Sequence, residues 1–205
     1  MLAQIEEHAR SSGLTLERRV LDAVAAVPRH EFVAASLRDE AYDDTPLAIG
    51  SGKTISQPFI VALMTDLLAI DPDATVLEIG TGCGYQTAVL CRLARRVCSV
   101  ELIDELADEA RERLARLGVA NAEIRAGNGY AGWPEAALFD GILIAAAPET
   151  VPPALIAQLK PGGRLVAPVG PPERQELVVV RKGAAGELMT DRVLGVRFSL
   201  LDEPP

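Results

Sequence analysis

Val76-Leu77-Glu78-Ile79-Gly80-Thr81-Gly82-Cys83-Gly84-Tyr85 is the stretch that decides the fold. It opens on a mostly apolar, β-prone run, breaks into three glycines spaced two apart, and leads from Gln86 into apolar residues at helical intervals. Glycine tolerates positive φ and lets a ligand approach the backbone, and the helix that follows leaves its first N–H groups free to face that ligand. Strand, glycine turn and helix in this order read as a nucleotide-binding corner. A second strand ends at Val100-Glu101, which puts an acid about 20 residues past the first glycine, where a ribose presents its hydroxyls.

Working outward, strands and helices alternate on the C-terminal side. Helix Gln86 to Arg95, strand Arg96 to Glu101, helix Asp104 to Leu117, strands Ala122 to Arg125 and Phe139 to Ala145, helix Pro153 to Leu159 and strand Arg164 to Val169 predict a doubly wound parallel sheet. Leu177 to Lys182 and Leu188 to Leu200 flank Gly183-Ala184-Ala185-Gly186 and predict an antiparallel pair closing the sheet edge. On the N-terminal side the chain looks helical to about Asp39: Leu16, Val20, Leu21 and Val24 recur at helical spacing, Thr15 is a candidate cap and Pro28 stops the run. Tyr42 to Pro58 is rich in Gly, Pro, Ser, Thr and Asp and reads as a long, functional loop, and Phe59 to Leu68 as a short helix before the first strand. The expectation is one α/β domain over residues 1–205, with 1–58 as N-terminal helices and covering loop and 74–205 as sheet core.

The 205 residues carry a formal charge of -9, which argues against a nucleic-acid partner, since phosphate binding needs clustered Lys and Arg. The acidic N-terminus and the shortness of every apolar run predict a soluble, cytoplasmic protein with no membrane segment. Cys83, Cys91 and Cys98 have no C-x-x-C spacing and read as reduced, mostly buried thiols. His8 and His30 are the only histidines. Both fall in the helical N-terminal region and read as surface or structural residues, so no metal site is expected.

Gly80, Gly82 and Gly84 form G-x-G-x-G, whereas the dinucleotide fingerprint spaces its third glycine three residues after the second. The shorter spacing is the one favoured by S-adenosylmethionine-dependent methyltransferases. Together with Leu47 to Pro58, Gly127-Asn128-Gly129 and Pro161 to Gly170, the turn closely resembles that of the protein-L-isoaspartate O-methyltransferase family, in order and at the family's distances from about Val27 onward. The most specific piece is Thr54-Ile55-Ser56-Gln57-Pro58. The resemblance implies a Rossmann-like class I methyltransferase sheet, with S-adenosyl-L-methionine as donor and S-adenosyl-L-homocysteine as product.

It also implies site residues. The donor would lie across Thr54, Glu78, Gly80, Gly82 and Cys83, its ribose on Glu101, its adenine beside Asn128 and Gly129, with Gln175 reaching the same pocket. Ile55, Ser56 and Gln57 would meet the acceptor, with Ser56 as the active-site residue orienting a carboxylate. On the residues alone, Ser56 reads first as a cap for the helix starting near Pro58, a role compatible with the other. Asn128 stands where the family usually has Asp, Cys83 where serine is common and Lys53 where glutamine is common.

The chemistry fits the lack of a base. An α-carboxyl, with a reference pKa of about 3.3–3.7, is ionised at neutral pH and attacks a sulfonium methyl directly, whereas an amine or phenol needs proton removal. The function the resemblance implies is methylation of the free α-carboxyl of L-isoaspartyl residues in damaged proteins and peptides, and a monomer is expected. Three rivals remain on the sequence: a relative modifying aspartate in one dedicated peptide, a non-catalytic donor-binding protein, and a nicotinamide oxidoreductase, which the glycine spacing opposes.

Overall fold

A computed structural model of the chain describes residues 1–202. Helices α1 (Leu2–Ser11) and α2 (Arg18–Ala26) come first, followed by 3-10 turns at Arg29–Phe32 and Ala35–Glu40. A two-stranded antiparallel hairpin, β1 (Leu47–Gly50) and β2 (Lys53–Ile55), precedes α3 (Pro58–Leu68). Then come β3 (Thr75–Ile79), α4 (Tyr85–Cys91), β4 (Arg96–Glu101), α5 (Asp104–Arg116), β5 (Ala122–Ala126), β6 (Phe139–Ile144), α6 (Pro153–Gln158), β7 (Leu159–Val169), β8 (Gln175–Lys182) and β9 (Leu188–Val196).

Seven strands form one sheet in the order β5-β4-β3-β6-β7-β8-β9, parallel from β5 to β7 and antiparallel from β7 to β9. This is the expected doubly wound α/β sheet with an antiparallel C-terminal pair. Alternation along each strand sends successive side chains to opposite faces. Val76, Val97, Leu143 and Val166 pack with α1 to α4 in one core cluster, while Leu77, Cys98, Ile142 and Leu165 join Leu155 of α6 and Trp133 in the other. The strand order reverses between β3 and β6, so the ends of β3 and β4 open onto the crevice where such sheets take ligands.

Five expectations need correction, among them the start of β7 at Leu159 rather than Arg164. Thr15 caps nothing: α2 starts three residues later, with Glu17 at its N-cap and the Glu17 N–H donated to Asp66 Oδ1 of α3 at 2.7 Å. Residues 42–58 are not loop throughout, because Leu47 pairs with Ile55 and Ala48 with Thr54 around a turn in which Gly50, Ser51 and Gly52 all have positive φ. Strands this short offer too few apolar positions for alternation to show. Helix α4 ends at Cys91 rather than Arg95. Strand β9 ends at Val196 rather than Leu200; the chain then leaves the sheet and crosses its C-terminal edge. The last residues of the expected 74–205 core, 203–205, lie outside the described residues.

Candidate active site

Because β3 and β4 run parallel in register, with Ile79 beside Val100, Gly80 and Glu101 emerge side by side. Gly80, Gly82 and Gly84 take φ of 89°, 53° and 87°, a left-handed backbone that side chains resist. Glu101 is 6% exposed and braces the turn: its Oε2 accepts the Gly82 N–H at 2.8 Å and its Oε1 the Ile103 N–H at 3.1 Å. Each carboxylate oxygen keeps a second lone pair. That is the remaining capacity a ribose diol would use.

The hairpin folds over this corner. A Cβ at Gly82 would meet Ile49 Cδ1 of β1 at 3.3 Å. Two residues hold the hairpin's base. Arg29 Nη2 donates to the Ser56 carbonyl at 2.8 Å and the Thr45 carbonyl at 3.3 Å. Asp44 accepts the Phe59 N–H at 2.8 Å through Oδ1 and the Gln57 amide at 2.9 Å through Oδ2. Asp44 therefore satisfies the start of α3 from outside the helix. Gln57 is the N-cap residue, without a side-chain cap bond, so the capping role considered for Ser56 is not realised.

The third wall is the segment after β9. Ala147 N–H donates to Ser199 O at 2.8 Å and Leu201 N–H to Ala147 O at 2.9 Å. Gln175 clasps Phe198, donating to its carbonyl at 3.1 Å and accepting its N–H at 2.6 Å. Lys53 Nζ meets Asp202 Oδ2 at 2.7 Å, joining the hairpin to this segment.

Between these walls lies a cavity of about 850 Å³. Thr54, Ile55, Ser56 and Gln57 line it from the hairpin side, Gly80, Gly82, Cys83 and Glu101 from the corner, and Gly129 and Gln175 from the remaining walls. At Gly129 a Cβ would come within 2.6 Å of Ile79 Cγ2 and 3.2 Å of Leu201 Cδ1, so only glycine fits. Two expected donor contacts are not on the cavity wall. Glu78 is fully buried behind the corner, its Oε2 accepting from the Thr87 and Ser99 hydroxyls at 2.5 and 2.6 Å, with Oε1 unpartnered. The Asn128 side-chain oxygen turns back to accept the Tyr130 N–H at 2.9 Å.

Burial pushes the Glu78 carboxyl up to about 7 against the two hydroxyl bonds that oppose it. It also pushes the Cys83 thiol to about 11, so this cavity-wall sulfur stays protonated and unreactive at neutral pH. Among the described residues no group of His, Cys, Asp and Glu is arranged to hold a metal ion, and no helix is long and apolar enough to cross a membrane.

Sequence reasoning missed several wall and support residues. His8 is exposed and structurally engaged, as expected, but it also lines the cavity: it stacks on Phe59 at 4.2 Å and 3° and places Nδ1 3.1 Å from Asp44 Oδ2. Nothing local in Glu7-His8-Ala9 signals this. Asp44 had a usable signal, since an acid upstream of a helix that lacks a capping side chain is a candidate partner for its free N–H groups. Arg29 and the Phe198 to Asp202 wall depend wholly on chain crossings.

The family model for protein-L-isoaspartate(D-aspartate) O-methyltransferase matches residues 3–203. The chain belongs to this family. It is 57% identical to protein-L-isoaspartate O-methyltransferase 1 of Polaromonas sp. (strain JS666 / ATCC BAA-500) over 188 residues, 92% of this chain and 80% of the relative. It is also 57% identical over 184 residues to protein-L-isoaspartate O-methyltransferase 2 of Nitrosococcus oceani, covering 90% and 84%. Among solved structures, a protein-L-isoaspartate O-methyltransferase superposes with a TM-score of 0.86 at 30% identity over 98% of this chain; the match spans 65% of that protein, slightly under two thirds of its length. A Plasmodium falciparum structure described as a protein-L-isoaspartate O-methyltransferase, with S-adenosyl-L-homocysteine bound, has a TM-score of 0.80 at 24% identity over 97% of each chain and supports the fold.

Proposed function

We propose that the chain is an S-adenosylmethionine-dependent enzyme that methylates the free α-carboxyl of L-isoaspartyl residues in damaged proteins and peptides, starting their repair through a succinimide. The observation that carries this reading is that Ile55, Ser56 and Gln57, from the family's most specific segment, line the same cavity as Gly80, Gly82 and Glu101.

The donor set fits the methyl donor. Glu101 has acceptor capacity for a ribose diol, the bare backbone at Gly80 and Gly82 suits the methionyl end, and Gly129, packed against Ile79 and Leu201, lines the wall where a flat base would lie. Glu78 acts from behind the corner, Asn128 by shaping the turn that carries Gly129, and Gln175 by holding the Phe198 wall. When bound, S-adenosylmethionine supplies an electrophilic sulfonium methyl and leaves as S-adenosylhomocysteine.

This chain's own residues contribute position and dryness. The Ser56 hydroxyl donates a hydrogen bond that orients the acceptor carboxylate, which is already ionised and needs no base. The hairpin and the Phe198 to Asp202 segment limit water around two opposite charges. In-line positioning of this kind is worth roughly 7–11 kcal/mol. Thr54 completes the donor side of the hairpin wall.

We infer action as a monomer, checked by analytical ultracentrifugation. The buried free thiols Cys83 and Cys98 support a reducing, cytoplasmic setting, checked by fractionating cells that express the protein.

The test of function offers matched L-isoaspartyl and L-aspartyl peptides with labelled donor and counts base-labile methyl esters. Label on the isoaspartyl peptide alone is expected. Label on the aspartyl peptide would favour modification of a dedicated sequence, and donor binding without label would favour a non-catalytic protein.

A further inference from the structure

Arg29 is completely buried, and among the described residues no carboxylate forms an ion pair with it. Its Nη2 grips the Thr45 and Ser56 carbonyls, the two residues that bracket the hairpin, while Nε and Nη1 have no protein partner. Its guanidinium carbon stands 4.8 Å from the centroid of the Tyr85 ring, and Tyr85 is the first residue of α4, directly after the glycine corner. One side chain thus ties both ends of the hairpin to the corner it covers.

Packing does not account for the charge. A methionine would fill much the same volume without removing a cation from water, which is costly when the cation is unpaired. Two carbonyls and an aromatic face compensate in part, and the Asp44 carboxylate acts on the guanidinium only from a distance, without an ion pair. The proposed reaction brings a further anion, a carboxylate at Ser56, the residue whose carbonyl Arg29 holds. Arg174 and Arg197 at the cavity rim are exposed, where water and salt screen them, and Lys53 is paired with Asp202.

We propose that Arg29 is a positioning residue for methyl transfer, locking Ser56 in register with the glycine corner and placing behind it a buried charge with no ion-pair partner that favours an anionic acceptor. The inference rests on the reading of Ser56 as the residue that orients the acceptor carboxylate.

The test compares an isoaspartyl peptide with the same peptide carrying an α-carboxamide in place of the carboxylate, the second measured as a competitive inhibitor, in wild type, Arg29→Met and Arg29→Lys. It is run at a temperature where donor binding shows that each variant is folded. Arg29→Met is expected to lower kcat about 10-fold and to shrink the carboxylate-over-carboxamide preference about 10-fold, with donor Kd within twofold of wild type. Arg29→Lys keeps the charge and loses the two-carbonyl grip, so it should lower kcat at least threefold while retaining the preference. A purely structural residue would change melting temperature and leave the preference alone. Arg29→Met with wild-type kcat and preference overturns the proposal. If Arg29→Met binds no donor, Arg29→Lys decides: wild-type kcat there, or a collapsed preference despite the retained charge, overturns it as well. Wild type inactive on isoaspartyl peptides defeats the functional reading itself, whereas active wild type with an indifferent position 29 defeats only this inference.

Discussion

The glycine corner reaches its shape through bonds between adjacent strands and turns: Gly80 N–H to Val100 O at 2.8 Å, Gly82 N–H to Glu101, and the Glu78, Ser99 and Thr81 chain beneath. The hairpin that faces it is held from far away in sequence, by Arg29, Asp44 and Asp202. Of the two walls of one cavity, the first carries its instructions in its own residues and the second borrows them. A wall of the first kind should fail locally when altered, through donor binding. One of the second kind should fail in turnover, since what it loses is placement.

The largest expected effect breaks the corner. Glu101→Ala removes two buried charge-assisted bonds to backbone N–H groups as well as the proposed diol acceptor; at about 1.5–3 kcal/mol each, donor Kd should rise at least about 100-fold by calorimetry. Ser56→Ala tests the other wall. Because Asp44 satisfies the start of α3, the melting temperature should stay near wild type, whereas kcat should fall about 10- to 100-fold for one lost bond to a charged acceptor. A lower melting temperature with full turnover would assign Ser56 to structure instead.

Glu78 sharpens the comparison through pH. Its folded value of about 7 lies above the ordinary 4.5, so the folded state holds a proton that the unfolded chain releases. The stability this contributes is fully present below about 4.5 and is lost as pH rises through about 7. Unfolding free energy should therefore fall on the order of 1–2 kcal/mol between pH 5.5 and 8 on this account, and Glu78→Gln should flatten that slope in urea titrations.

The Lys53–Asp202 pair is solvent accessible, with side-chain exposures of 27% and 53%. A double-mutant cycle should give only about 0.2–1 kcal/mol, falling further in high salt. Asn128→Asp should have the smallest effect, since either side-chain oxygen can accept the Tyr130 N–H. A donor KM within about twofold of wild type is expected, and a large change would reopen a direct adenine contact.

The same contrast explains what the sequence disclosed. Strand periods, the G-x-G-x-G turn and the acid ending β4 are local patterns, and they identified the sheet, its switch point and most of the corner. Thr54 to Pro58 was recognisable by resemblance, but its hairpin was not, because three or four residues per strand show no alternation. The side chains of Glu78 and Asn128 face Thr87, Ser99 and the Tyr130 turn rather than the cavity, and for a related reason this was not legible: motif position says which residue is near a ligand, not which partner its side chain takes. His8 and Arg29 act through contacts with distant residues that no spacing announces, whereas Asp44, an acid upstream of a helix without a capping side chain, carried a local signal.

The wall formed by Phe198 to Asp202 has a consequence for biosynthesis. A chain emerging from the ribosome in order makes the glycine corner early and the hairpin earlier still, yet Gly129, Tyr130 and Lys53 must wait for Leu201 and Asp202 before the cavity is enclosed. Nascent chains therefore display an open crevice, and the complete binding site arises only once translation has passed those residues.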